Sequence, residues 1–375
     1  MNNQLTRAHE PIFERLKISK KQQLTKNSFL LEFEIPADLQ AIYRYHAGQF
    51  VKIKFDINGQ NVTRDYSFVS APHESRLLLA IKINSEESTA FQLFENYSIG
   101  DFLQVSQPMG RFTISTKPNE KRTILGFASG IGITPIFSHI KNILYQEKGS
   151  RFFLFYGNKS TEDIVFKNEL SELQNVYGER LQVHYFFSQE EQKDAFFSGR
   201  LDEKKVDLII NQILNLDEDD EETTLWDQVD EILICGPGEM IKSVANACFN
   251  NGIPKKSIHF ELFEEYNEDI FLNEESFPLL KDISVRFKFN HQESKEVILV
   301  DNQKKILPQL LSLGYKLPYS CKSGICGACT CKLEEGEVVM TENEYLTDNE
   351  LQQNYILPCT SIALTQKIIL NFDGD

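Results

Sequence analysis

No cysteine occurs before Cys235, although the chain has seven. An odd number placed so late cannot frame a disulfide-stapled secreted fold, and four of the seven fall within residues 321–331. In a chain of 375 residues such crowding points to metal or redox chemistry. Long apolar runs are also missing. The longest candidate, residues 124–137, is short and broken by Gly126, Gly130, Gly132 and Thr134, so no membrane span is expected. Met1-Asn2-Asn3-Gln4 leads into no basic stretch with an apolar core behind it; a secretory signal is therefore not expected, and the cytoplasm is the expected location. Basic residues are outnumbered, 39 Lys and Arg against 55 Asp and Glu, for a formal charge of −16. Nucleic acid is not the expected partner, because neutralising phosphates needs clustered cations. The charge would instead steer toward a basic docking face.

What is present has a clear order. The composition, 41% hydrophobic and 25% charged, is that of a soluble globular protein, and the length asks for two or three domains. The first hundred residues read as strands separated by turns. Residues 30–35 end at Pro36, residues 50–55 end at an Asp-Ile-Asn-Gly turn, and residues 76–83 form a third apolar strand, together a small antiparallel barrel. The period then changes. Residues 122–127 are a buried strand followed by a Gly-rich turn and a helix through Ile136, Ile140, Ile143 and Leu144. Strands at 152–156, 181–187 and 231–235 alternate with helices near 166–173 and up to Asn250, the pattern of a parallel sheet with helices on both faces. Residues 217–222 are six consecutive carboxylates, read as a solvated insertion. Residues 261–278 hold seven acidic residues and no Lys or Arg and read as an interdomain linker anchored by Phe263, Tyr266 and Phe271. Strands resume at 285–289 and 297–300, and a short helix over 306–313 leads into the cysteines.

The cysteine spacing is C-x4-C-x2-C, then 29 residues, then Cys359. Three thiolates on one loop and a fourth from a distant strand are the plant-type [2Fe–2S] arrangement, with Cys321, Cys326, Cys329 and Cys359 as ligands. Gly324 and Gly327 permit backbone angles that aim N–H groups at sulfur. A zinc site would show paired C-x2-C knuckles or histidines, and only one such pair is present. Cys331 reads as a strand residue and Cys248 as a buried helix residue.

The segment 283–375 resembles a plant-type ferredoxin domain, a β-grasp fold. Arg64-Asp65-Tyr66-Ser67 matches the R-x-Y-S motif of the ferredoxin–NADP reductase superfamily, which residues 13–260 resemble. The resemblance implies that Arg64 pairs with flavin phosphates, Tyr66 lies against the isoalloxazine, and Ser67 hydrogen-bonds near the reactive N5. The family's G-x-x-S phosphate turn has no counterpart here. Its place is taken by residues 84–90, where Ser88 or Thr89 could supply a hydroxyl at a helix N-terminus. Gly110-Arg111-Phe112 resembles the turn closing the flavin domain. Gly130-Ile131-Gly132-Ile133-Thr134-Pro135 matches the family's G-x-G-x-T-P turn, which sets Gly130, Gly132 and Thr134 beside the nicotinamide nucleotide's phosphates. Cys235-Gly236-Pro237 is the second half of that signature and places Cys235 near the nicotinamide. Ser188 and Gln189 fall where the adenosine ribose should lie; some relatives have Arg after the Ser, and Arg200 or Lys159 could substitute. NADPH is the donor the family resemblance favours, with NADH open.

These expectations make a multidomain chain. An antiparallel β-barrel flavin domain (10–115) precedes an α/β parallel-sheet NAD(P)-binding domain (120–262), an acidic linker (263–281) and a β-grasp [2Fe–2S] ferredoxin domain (282–375). The implied cofactors are FAD and the cluster, with NAD(P)H as electron donor; Ser67 and Cys235 are the candidate catalytic residues. None of the seven histidines has an acidic residue three positions before it, so a di-iron carboxylate oxidant is not expected in this chain. The domain order resembles that of the reductase components of phenylacetyl-CoA epoxidases and related multicomponent monooxygenases, which implies an oxygenase partner docking near residues 323–328. Two alternatives stay open at this stage: an FMN-containing dioxygenase reductase, and a non-enzymatic iron–sulfur carrier or redox sensor.

Overall fold

A computed structural model describes residues 12–57, 59–214, 225–264, 266, 268, 270–271, 277–290, 294–319, 324, 327–343 and 345–373. The chain divides into two compact units, Pro11–Phe263 and a C-terminal one over residues 264–375. The acidic run at 217–222 and the ligands Cys321 and Cys326 lie outside the described residues.

The N-terminal unit begins with β1 (Phe13–Thr25), β2 (Ser28–Glu34), β3 (Phe50–Ile57), β4 (Gln60–Ser67), β5 (Leu77–Lys82), α1 (Thr89–Asn96) and β6 (Phe102–Ser106). The strands form one antiparallel sheet in the order β4-β3-β6-β1-β2-β5. Phe68 bridges Leu79, which brings the sheet's two ends together as a barrel. Alternation drives this. Val51, Ile53 and Phe55 are buried while Lys52 and Lys54 are half-exposed, so β3 presents one apolar face to the barrel interior. The β3–β4 turn is held by the Asp56 carboxylate, which accepts from the Gly59 N–H at 2.9 Å, and Gly59 has φ +82°, a conformation that favours glycine.

The nicotinamide half follows with β7 (Thr123–Ser129), α2 (Ile133–Gln146), β8 (Arg151–Asn158), α3 (Lys167–Tyr177), β9 (Leu181–Phe187), α4 (Glu203–Ile209), β10 (Val229–Gly236), α5 (Gly238–Asn250) and β11 (Ile258–Leu262). All five strands are parallel, in the order β11-β10-β7-β8-β9. Strand β7 is buried at every position from Thr123 to Ala128, as a strand covered on both faces must be. The two halves are joined by defined contacts. Ser138 of α2 donates to the Ser70 carbonyl at 2.6 Å, Lys141 meets Glu74 at 2.6 Å, and His139 hydrogen-bonds the Phe112 carbonyl at 2.8 Å. The connecting segment is tied down by the buried pair Arg122–Glu147: the Glu147 carboxylate also accepts from the Lys117 N–H, and Arg122 donates to the Ser115 carbonyl.

Strand β11 differs from the sequence reading. Glu261 was expected to open an acidic linker, but it lies inside β11 and is 5% exposed. The aromatic anchors also divide. Phe271 is buried, Tyr266 is half-buried, and Phe263 is 42% exposed.

The C-terminal unit contains β12 (Lys281–Lys288), β13 (Lys295–Asp301), α6 (Ile306–Ser312), β14 (Cys331–Glu335), β15 (Val338–Met340), α7 (Asp348–Gln352), β16 (Tyr355–Ile356), β17 (Ser361–Ala363) and β18 (Lys367–Asn371). Its mixed sheet runs β13-β12-β18-β14-β16, and β15 pairs with β17. The parallel β12–β18 pair at its centre carries Val285, Phe287, Ile368 and Leu370 into a core closed by Ile306, Leu307 and Leu310 of α6.

Candidate flavin, nicotinamide and cluster sites

Arg64 and Thr89 meet. The guanidinium Nε donates to the Thr89 hydroxyl at 3.2 Å, so the cation at the end of β4 stands over the first residue of α1. Arg64 is exposed and has no carboxylate partner among the described residues. A free cation beside unpaired helix N–H groups fits a phosphate. Ser88 plays a different part from Thr89: its side chain caps the helix, accepting from the Phe91 N–H at 3.2 Å and donating to the Ser85 carbonyl at 2.6 Å. Tyr66, next along β4, is half-buried, and burial pushes its phenol well up from the usual value.

Ser67 is buried and donates to Glu261 Oε2 at 3.1 Å. This bond joins the flavin barrel to the nicotinamide sheet. Glu261 sits opposite Cys235 in the β10–β11 register. Burial raises the Glu261 carboxyl to about 8, partly offset by the Ser67 bond, so it is mostly protonated at neutral pH. Burial first, and the Glu261 charge second, push the fully buried Cys235 thiol up as well. The structure brings the candidates Ser67 and Cys235 together around Glu261, which the sequence reading did not single out because its acidic neighbours masked it; the β-type pattern Ile258-His259-Phe260-Glu261-Leu262 was the available signal.

The two signature turns of the nicotinamide half touch each other. A Cβ on Gly132 would lie 2.2 Å from the Cys235 carbonyl oxygen, and one on Gly236 would lie 3.1 Å from Ser129 Cβ. Only glycine permits that approach at the carboxyl ends of β7 and β10. The Gly130 carbonyl accepts from the Tyr156 hydroxyl at 2.9 Å. The Thr134 hydroxyl is buried and donates to the Ile131 carbonyl at 3.0 Å, which fastens the turn. Pro237 directly precedes α5. Lys82, at the end of β5, was not foreseen: its ammonium is 3.8 Å from a Cβ built on Gly130, and it has no counter-ion among the described residues. Ser188 is exposed, its N–H donating to the Asn158 carbonyl at 3.0 Å. Lys159 and Arg200 are exposed.

In the C-terminal unit Cys329 and Cys359 are buried, 3% and 1% exposed. The described cysteines, 235, 248, 329, 331 and 359, form no disulfide. Gly324 and Gly327 have φ of +76° and +67°, and a Cβ on Gly327 would strike the Tyr345 ring at 2.1 Å. Gly324 thus approaches the Glu342 carbonyl and Gly327 the Tyr345 ring, close approaches that suit a glycine-bearing cluster loop. Cys331 is a buried strand residue and Cys248 a buried residue of α5. Of the expected docking edge, Ala328 is exposed and Gly324 and Gly327 are buried; the rest lies outside the described residues.

Comparison with known families finds three matching domains. Residues 15–114 match an oxidoreductase FAD-binding domain, residues 127–246 an oxidoreductase NAD-binding domain, and residues 289–364 a 2Fe–2S iron–sulfur cluster binding domain. The chain is a flavin iron–sulfur oxidoreductase that carries FAD-binding, NAD-binding and 2Fe–2S domains in that order. It is 29% identical to one of the subunits of the 1,2-phenylacetyl-CoA epoxidase of Escherichia coli K12, over 96% of this chain and 98% of that one. The ferredoxin reductase component of 3-ketosteroid-9-alpha-monooxygenase from Rhodococcus rhodochrous is 25% identical over 95% and 96%. Among solved structures, phthalate dioxygenase reductase superposes with a TM-score of 0.53 at 22% identity, over 96% and 98% of the two chains, a likeness of fold. No helix among the described residues is long and apolar enough to cross a membrane.

Proposed function

We propose that this oxidoreductase draws electrons from NAD(P)H and delivers them to an oxygenase of the phenylacetyl-CoA epoxidase type, working in the cytoplasm. The observation that carries the reading is the Ser67–Glu261 bond, which seals the flavin barrel against the nicotinamide sheet beside Cys235. When bound, FAD supplies the exchange between a two-electron hydride donor and a one-electron iron–sulfur acceptor.

The chain's own residues supply orientation and electrostatics. Arg64 and the first turn of α1 hold flavin phosphate. Tyr66 offers a ring face to the isoalloxazine, while Gly130, Gly132, Thr134, Gly236 and Pro237 shape the path of the nicotinamide nucleotide. Lys82 adds a cation to the Gly130 turn from the flavin side. Protonated Glu261 accepts the Ser67 hydrogen bond through Oε2 and adds no negative charge beside the place a bound flavin would occupy. Cys235, neutral for the same reason of burial, gives an uncharged, close-packed wall. Cys321, Cys326, Cys329 and Cys359 hold the cluster. Similarity along almost the whole length of an epoxidase component supports the oxygenase partner, and the described cysteines, which form no disulfide, suit a reducing compartment.

The test is rapid mixing of the reconstituted protein with NADH or NADPH. Glu261→Gln should retain flavin reduction within about tenfold, whereas Glu261→Asp and Ser67→Ala should each slow it by about tenfold or more, because reach and alignment are lost. Unchanged flavin bleaching in Ser67→Ala and Glu261→Asp would refute the assignment.

A further inference from the structure

Strand β13 ends the C-terminal sheet. It pairs with β12 on one side, and among the described residues no strand pairs with its other side. An open edge is a template for a further strand, which natural sheets blunt with bulges, proline or charge. β13 is seven residues long, has no proline, and keeps register with β12 without a break from Lys295 to Leu299. Its charges sit only at its ends, in Lys295, Glu296 and Asp301. Leu299 points into the core and is 1% exposed, whereas Ile298 and Val300 on the opposite face are 53% and 75% exposed. The backbone shows what the edge offers. Ser284 donates its N–H to the Gln366 carbonyl, and the Lys288 carbonyl accepts from the Phe372 N–H, so Ser284, Arg286 and Lys288 bond toward β18. Ile283, Val285 and Phe287 therefore bond their partners Leu299, Val297 and Lys295. That leaves the N–H and C=O groups of Glu296, Ile298 and Val300 turned to the open edge.

We propose that this edge pairs antiparallel with the same edge of a second copy of the chain, about a two-fold axis at Ile298. The strand is complementary to itself. With Ile298 opposite its own copy, Glu296 falls opposite Val300, so each outward N–H meets an outward carbonyl. Val297 falls opposite Leu299, and Lys295 meets Asp301 at both ends. Both charges are available for this. Lys295 lies over the Tyr315 ring, 5.8 Å from its centroid, and has no carboxylate partner among the described residues. Asp301 accepts only from the Gln303 N–H. Glu296 does not oppose the pairing, because Ser284 Oγ at 2.7 Å and Arg286 at 3.1 Å hold its carboxylate within its own copy. Charge also selects the register. An axis at Val297 would set Lys295 opposite Leu299, and one at Leu299 would set Asp301 opposite Val297, so both lose the ion pairs. Such a contact is isologous and closes on itself as a dimer.

Sedimentation velocity of the full-length holoprotein tests this. Wild type should be mostly dimer at about 100 μM and mostly monomer at about 1 μM, the range of a small two-fold contact. Ile298→Lys sets two ammonium groups against each other at the axis and should stay monomeric at the higher concentration, with the flavin and cluster absorbance of wild type. Lys295→Asp and Asp301→Lys each place like charges opposite one another and should weaken the dimer by about tenfold over the two symmetric pairs. The double variant Lys295→Asp, Asp301→Lys restores opposite charges and should recover the wild-type dimer. A wild type that stays monomeric at the higher concentration overturns the proposal, as does a dimer that Ile298→Lys leaves intact. A double variant no tighter than the single ones overturns the antiparallel register at Ile298.

Discussion

Glu261 shows how one residue can escape a sequence reading and still organise a site. Its neighbours toward the C-terminus are acidic, so charge patterning assigns it to a solvated linker; only the pairing of Ile258–Leu262 with β10 buries it. Its raised carboxyl has a consequence for stability. Between the ordinary value of 4.5 and the folded value of about 8, the native chain holds a proton that the unfolded chain has released. The contribution is therefore fully present below 4.5 and is lost as pH rises toward 8, at about 1.4 kcal/mol per pH unit. Glu261→Gln should remove this slope and gain on wild type as pH is raised from 5 to 8. Urea unfolding of the full chain, read by its single tryptophan, Trp226, checks it; parallel wild-type and variant curves across that range would contradict it. The 2Fe–2S domain was legible in the cysteine spacing, and the FAD-binding domain through the resemblance that Arg64-Asp65-Tyr66-Ser67 carries. Lys82 was not, since a lone Lys at a strand end has no local signature.

At the scale of the element, the strands with unbroken apolar runs, β7, β8 and the Ile232–Cys235 stretch of β10, could be placed from sequence because burial on both faces leaves no other composition. β1 could not: its Lys- and Gln-rich stretch gains its place only from pairing with both β2 and β6. The turn between β7 and α2 depends on how closely it packs on β10. Gly132→Ala would place a Cβ 2.2 Å from the Cys235 carbonyl oxygen, so the strand end or the turn must move. We expect about 1–3 kcal/mol of destabilisation and a raised KM for NAD(P)H, with flavin retained, measurable by denaturant titration and steady-state kinetics. The buried Arg122–Glu147 pair holds the segment entering β7, with exposures of 2% and 0%. Arg122→Met strands a carboxylate and should cost about 3–5 kcal/mol, whereas the double variant Arg122→Met, Glu147→Leu should recover much of the loss. A double variant no more stable than the single one would contradict that account.

Across the whole molecule, the chain joins a donor site, an exchanger site and an exit cluster in one polypeptide, and it carries a formal charge of −16. Transfer to the oxygenase should therefore be salt-dependent, falling several-fold between about 50 and 300 mM salt if the partner's docking face is basic; flat rates across that range would refute electrostatic docking. The order of carriers is tested most directly by Cys326→Ser in the anaerobically reconstituted protein. Reduction of ferricyanide by NAD(P)H, which flavin alone supports, should stay within about twofold of wild type, while cluster-dependent transfer to the oxygenase falls to background. If both reactions collapse together in a variant that keeps its FAD and its wild-type Trp226 unfolding curve, the cluster is not the exit and the account is wrong.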